Sequence, residues 1–151
     1  MGDASSLSPL AQLAQALREE KTRFIVVGMT AAILQGAPST TLDVDLWIDL
    51  PPRQYIRILN LCRKLGAELV ANTVVVFDGQ LTVNFVYEID GLKSFNYEYR
   101  EANRLQWHGE TFAVLPLDRV YKSKRAAGRP KDLAVLPLLK RTIQLRAGRQ
   151  R

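Results

Sequence analysis

From Leu42 to Ile48 the chain alternates without a break. Leu42, Val44, Leu46 and Ile48 fall on one face, and Asp43, Asp45 and Trp47 on the other. A strand with one apolar face packs on a core, and this one carries two carboxylates on its opposite face, roughly 6.5–7 Å apart at the backbone. Two like charges so placed are costly unless a cation lies between them. Oxygen donors alone suit a hard ion that keeps its waters and bridges phosphates, Mg²⁺ or Mn²⁺. The polar outer face of an edge strand is the other reading of Asp-x-Asp, and spacing alone leaves both open.

The preceding segment favours an anion beside that pair. Phe24 to Val27 is a short continuous apolar run, read as a buried strand. Gly28 ends it, and Thr30 to Leu34 reads as a short helix stopped by Gly36. Strand, glycine and helix start together present backbone N–H groups to an anion, with the Thr30 hydroxyl added; the plain alternative is a tight turn. A phosphate site followed closely by a divalent-metal pair is what holding a nucleoside triphosphate requires.

The remaining elements surround this unit. Ser8-Pro9 predicts a helix start, with Leu10, Leu13, Ala14 and Leu17 at helical spacing over residues 1–22. Pro51-Pro52 breaks the Asp-bearing strand, and Tyr55 to Leu65 is amphipathic up to Gly66. Val74–Phe77 and Leu81–Tyr87 flank Asp78-Gly79, a hairpin signal. A helix is expected from Phe95 to Ala102, then a second hairpin across His108-Gly109, from Arg104–Trp107 to Thr111–Leu115. Two helices follow, over about Leu117–Ala127 and from Pro130 on, spanning 117–145 before a basic tail, 146–151. The expectation is one α+β (α/β) domain over 1–151: a mixed sheet of three to five strands within 24–115, flanked by helices, with a C-terminal helical pair.

Charge is unevenly placed. Met1 to Asp118 carries 10 basic and 14 acidic residues, whereas Arg119 to Arg151 carries 11 basic residues against Asp132 alone. That split argues against a uniformly basic coat protein and for a polyanion held between unlike regions. One cysteine, Cys62, excludes an intramolecular disulfide framework and multi-cysteine zinc sites. No apolar run nears the ~20 residues of a membrane span, and the start, MGDASSLSPL, lacks a secretory pattern. A reduced, cytoplasmic setting is expected.

Val27-Gly28-Met29-Thr30-Ala31-Ala32, followed by Thr40-Thr41-Leu42-Asp43-Val44-Asp45-Leu46, resembles the phosphate and metal motifs of the DNA polymerase beta-like nucleotidyltransferase superfamily. The segment from Ser123 to Leu133, with Lys124, Gly128, Arg129, Lys131 and Asp132, is similar to a signature of its small bacterial members, including abortive-infection toxin nucleotidyltransferases. The resemblance spans about Phe24 to Leu133. It implies a nucleotidyltransferase-like fold and transfer of a nucleoside monophosphate from an NTP to a hydroxyl with two metal ions. It further implies Gly28 and Thr30 beside the triphosphate, Asp43 and Asp45 on Mg²⁺ (or Mn²⁺), and Lys124, Lys131 and Asp132 completing the pocket. Acceptors would be RNA such as a tRNA end, a protein side chain or a small molecule.

Three positions depart from the family pattern. Met29 stands where glycine or serine is usual, Asn84 where a third acid is expected, and Val135 where a second late Asp often lies. Asn84 can offer a metal a neutral oxygen but no charge and no general base. These departures carry a second expectation: a degenerate, non-catalytic member binding RNA or a partner protein, in a toxin–antitoxin pair among other settings. Of the other candidates, His108 reads as an exposed turn residue and Cys62 as a small core residue. Trp47 is open between stacking a base and plain packing, and Tyr87, Tyr97 and Tyr99 form no stacking motif. The basic run Arg119, Lys122, Lys124, Arg125, Arg129 and Lys131 reads as polyanion-binding ahead of a plain solvated face, and Arg146, Arg149 and Arg151 as a frayed tail near RNA phosphates.

Overall fold

The computed structural model describes residues 7–149. Helix α1 (Pro9–Glu19) begins as its sequence dictates: the Ser8 hydroxyl accepts the Ala11 N–H at 3.1 Å and Pro9 occupies the first turn. Its Leu10, Leu13, Ala14 and Leu17 face is fully buried, each leucine contributing about 1.5–3 kcal/mol relative to exposure. Strand β1 (Phe24–Val27) is buried along its whole length, as a continuous apolar run demands of a strand covered on both faces. Then come α2 (Gly28–Leu34), β2 (Asp43–Ile48), a 3₁₀ turn at Pro52–Gln54 and α3 (Tyr55–Lys64). Strands β3 (Glu68–Ala71), β4 (Val74–Phe77) and β5 (Leu81–Val86) precede α4 (Phe95–Glu101), and β6 (Asn103–Trp107) pairs with β7 (Glu110–Val114). The chain closes with α5 (Leu117–Ala127), α6 (Pro130–Ala134) and α7 (Leu136–Arg149).

The strands form one mixed seven-stranded sheet in the order β3-β4-β5-β2-β1-β7-β6. β2/β5 and β1/β7 are the parallel pairs; the other neighbours are antiparallel. The helix-flanked mixed sheet expected from the sequence is therefore present, but with seven strands rather than three to five. The strand not anticipated, β3, is exposed at every position and lies at the sheet edge, so no burial pattern marks it. Leu42 is a second difference. Read as part of the apolar face of β2, it lies before the strand and is 86% exposed.

Buried Gln35 ties the C-terminal helices to the sheet. Its side chain donates to Leu115 O at 2.7 Å and accepts from Asn103 at 2.8 Å, while its carbonyl accepts from Arg146 at 2.6 Å. That last bond explains why α7 runs to Arg149 instead of fraying after residue 145. Arg146 and Arg149 are helical, and Arg151 of the expected tail lies outside the described residues. The expected C-terminal pair is three helices, because the Arg129–Pro130 junction starts a five-residue α6 before α7. Among the described residues no helix is long and apolar enough to cross a membrane.

Candidate functional site

β2 lies between β1 and β5, so Asp45 has a fixed neighbour on both sides and Asp43 one on β5. Asp45 is opposite Val27 on β1 and Asn84 on β5, and Asp43 is opposite Thr82. The period of two along β2 keeps Asp43 and Asp45 on one face while Val44 and Leu46 enter the core. Asp43 is exposed and Asp45 half-buried. Immediately after β1, Gly28 adopts φ +67°, and a Cβ there would stand 2.5 Å from Asp45 Oδ2. Glycine thus satisfies both a left-handed backbone and a close approach to the carboxylate.

A cleft of about 530 Å³ gathers the expected residues. Gly28, Asp43, Asp45, Asn84, Lys124, Lys131 and Asp132 all line it, although they come from α2, β2, β5, α5 and α6. Met29 and Val135, two of the three departures from the family pattern, line it as well. Thr41 and Ser123 line it too, as do Glu88 and Asp90, the two acids that follow Asn84 in sequence, and Arg129 of the late basic run. A larger cavity, about 730 Å³, lies at the opposite end of β1 and shares none of these residues.

Thr30 is placed differently from expectation. It is buried outside the cleft lining, and its hydroxyl donates to the Asp43 carbonyl at 2.8 Å. Its hydroxyl proton is committed to backbone, which ties α2 to the start of β2. Trp47 is settled as packing: its Nε1 donates to Tyr87 O at 3.1 Å and its ring meets Phe95 edge-on at 5.3 Å. Cys62 is buried, as read, and burial pushes its thiol up to about 12. His108 is the exposed turn residue expected, with Nδ1 2.8 Å from Ser8 Oγ.

Asp132 is the best-satisfied carboxylate in the cleft. It is 1% exposed; its Oδ2 accepts from Arg129 Nε at 2.6 Å and from Arg129 N at 3.2 Å, and Lys124 Nζ lies 3.5 Å from Oδ1. The Arg129 hydrogen bonds, with Lys124 adding, hold its carboxyl below the ordinary range. Asp132 is also the third residue of α6, so the same carboxylate caps that helix. A Pro at the first helical position with Asp two residues later is a sequence signal for this cap.

The other basic residues divide. Arg119 is drawn away to fully buried Glu98, which also accepts the Lys93 N–H at 2.9 Å. Lys122 and Arg125 do not line the cleft, so the run expected to act as one polyanion surface is split among separate tasks.

Burial is the main cause that raises the Asp45 carboxyl above the ordinary range; the Asn84 side chain and Lys124 offset part of it. Among the described residues neither Asp43 nor Asp45 forms an ion pair. Two unpaired adjacent carboxylates, one of them strained by burial, fit a hard divalent cation. Among the described residues no cluster of three His, Cys, Asp or Glu side chains is placed to hold a metal. Two carboxylates suit Mg²⁺, which keeps several waters and takes further oxygens from phosphates.

The chain is similar in fold to several solved structures. Antibiotic-resistance factor ANT(2″)-Ia matches at 14% identity, over 99% of this chain and 93% of that one, with a TM-score of 0.55. A Thermotoga maritima protein described as a candidate nucleotidyltransferase matches at 20% identity, over 85% and 88%, with a TM-score of 0.59. The lincosamide antibiotic adenylyltransferase LnuA, solved with lincomycin bound, matches at 8% identity, over 87% and 94%, with a TM-score of 0.57. No protein-family model matches the chain, and no curated protein matches it by sequence. The fold is nucleotidyltransferase-like.

Proposed function

We propose that this chain is a nucleotidyltransferase that moves a nucleoside monophosphate from an NTP to an acceptor hydroxyl. The observation that carries the proposal is the convergence of Asp43, Asp45, Gly28, Lys124 and Lys131 on one cleft of a nucleotidyltransferase-like fold. Asp43 and Asp45 would hold Mg²⁺ or Mn²⁺, with Asn84 able to add a neutral oxygen. The bound ion would neutralise charge on the triphosphate oxygens.

The chain's own groups do the rest. Lys124 and Lys131 face the phosphates as point charges. Asp132 is a positioning residue in this reading, aiming Lys124 and Arg129 from a buried anchor. Thr30 positions Asp43 through its carbonyl, and Gly28 leaves room beside Asp45. The acceptor oxygen bonds to the α-phosphorus as the bond to pyrophosphate breaks, and the hydroxyl proton leaves to solvent. The likeness to an adenylyltransferase of antibiotics supports small-molecule hydroxyls as the first acceptors to test, with RNA ends and protein side chains next.

A second reading, a nucleotide- or RNA-binding protein without transfer activity, is favoured by Asn84. Its Oδ1 accepts from Thr73 Oγ1 at 3.0 Å, so it stands where a third acid would be and supplies no charge. Incubation with α-labelled NTPs, Mg²⁺ and an acceptor panel separates the two. Label transfer abolished by Asp43→Ala/Asp45→Ala supports the enzyme; Mg²⁺-dependent nucleotide binding without transfer supports the binder.

A further inference from the structure

A cavity of about 730 Å³ lies where α1 ends, β1 begins and the β6–β7 hairpin folds over them. Four cations line it, Arg18, Lys21, Arg23 and Arg104, against the single carboxylate of Glu110. They belong to the portion of the chain that is acidic overall, so their gathering at one place is not a consequence of composition. Two are occupied: Arg18 bonds Glu110 at 2.5 Å, and Arg23 bonds Asp49 at 2.6 Å. Lys21 and Arg104 are exposed and make no ion pair among the described residues.

Arg104 is nevertheless held in place. Its guanidinium lies 4.5 Å from the Tyr99 ring centroid, and Arg23 lies 5.1 Å from the same ring. Tyr99 in turn stacks on Phe95 at 5.5 Å. Lys21 leaves α1 in a left-handed turn, at φ 57°, with its amide donating to Arg18 O at 2.9 Å. The cleft thus presents two unpaired cations, one of them seated on an aromatic ring, beside two paired ones. Positive grooves backed by aromatic side chains are the chemistry that follows a single-stranded phosphodiester backbone. We propose that the cleft bounded by Lys21, Arg104 and Tyr99 binds a single-stranded nucleic acid through its phosphates. The site is separate from the Asp43–Asp45 cleft and does not depend on nucleotidyl transfer.

The test is fluorescence anisotropy of the full chain with a labelled oligo-uridine of about twelve nucleotides, without Mg²⁺ or NTP, across a salt series. Lys21→Asn/Arg104→Gln removes both charges, and Asn tolerates the left-handed backbone at position 21. The expected loss is tenfold or more at low salt, and the log–log salt slope should flatten by about 1.4, from about 0.7 per lost phosphate contact. Lys21→Arg/Arg104→Lys keeps the charges and should bind within about threefold of wild type. No binding by wild type, an unchanged Lys21→Asn/Arg104→Gln variant, or equal loss in the charge-keeping variant overturns the proposal. So does loss confined to Lys122→Ala/Arg125→Ala, which would place the strand on α5, and so does displacement by micromolar tripolyphosphate, which would assign the cleft to a small phosphate compound.

Discussion

Gly28, next to the Val27 that pairs with Asp45, approaches that carboxylate so closely that a methyl group on Gly28 would stand 2.5 Å from Asp45 Oδ2. Gly28→Ala therefore carries two penalties. Left-handed backbone costs a residue with a Cβ about 1–2 kcal/mol, and the carboxylate must also move. The expected outcome is a Tm lowered by about 3–6 °C, with nucleotide affinity falling more than the stability loss explains. A scanning calorimetry trace and a nucleotide titration on the same variant check both.

Thr30 and Asp43 give a gentler test of the same strand. Thr30→Val keeps shape and removes the hydroxyl that donates to Asp43 O. Loss of that part-buried hydrogen bond costs about 1 kcal/mol, read as a lower urea midpoint with an unchanged slope. Nucleotide affinity should weaken only modestly, because no phosphate contact is lost. A Thr30→Val loss as large as that of Asp45→Ala would contradict a purely positioning role.

Asp132→Asn separates anchoring from catalysis. It keeps the helix cap while weakening the hold on Lys124 and Arg129, so KM for nucleotide should rise several-fold with kcat changed less. Collapse of kcat at unchanged KM would make Asp132 a group that acts on the reacting atoms.

Buried Glu98 sets part of the acid limit. Burial alone would raise its carboxyl, but the Arg119 pair and the Lys93 amide more than offset this and hold it below the ordinary value of 4.5. A depressed carboxyl contributes stability above its unfolded pKa and loses it as pH falls through the folded one. Glu98→Gln should thus cost about 3 kcal/mol near neutrality, because Arg119 is left without its partner, and the cost should shrink below about pH 4. Urea unfolding at pH 7 and pH 3.5 measures the difference.

These variants also mark how far the sequence was legible. The strict alternation of β2 and the continuous apolar β1 identified the central strands, because a buried face leaves a period in the chain. The carboxylates, Gly28 and the two lysines were visible as residue types, and the fold brought them to one cleft. Strand β3 was invisible because an exposed edge strand has no face to bury. The fate of Thr30 was equally hidden: a hydroxyl beside a proposed phosphate site looks the same in sequence whether it faces the ligand or the Asp43 carbonyl. Arg119 could not be told from its basic neighbours, because its partner Glu98 lies 21 residues away in sequence, on α4.

The most direct measurement is calorimetric titration of each NTP into wild type and into Asp43→Asn/Asp45→Asn, with and without Mg²⁺. One site is expected in wild type, with an affinity that depends on Mg²⁺ and is weakened at least tenfold, about 1.4 kcal/mol, in the double variant. Equal nucleotide binding by both proteins, or binding indifferent to Mg²⁺, would contradict it.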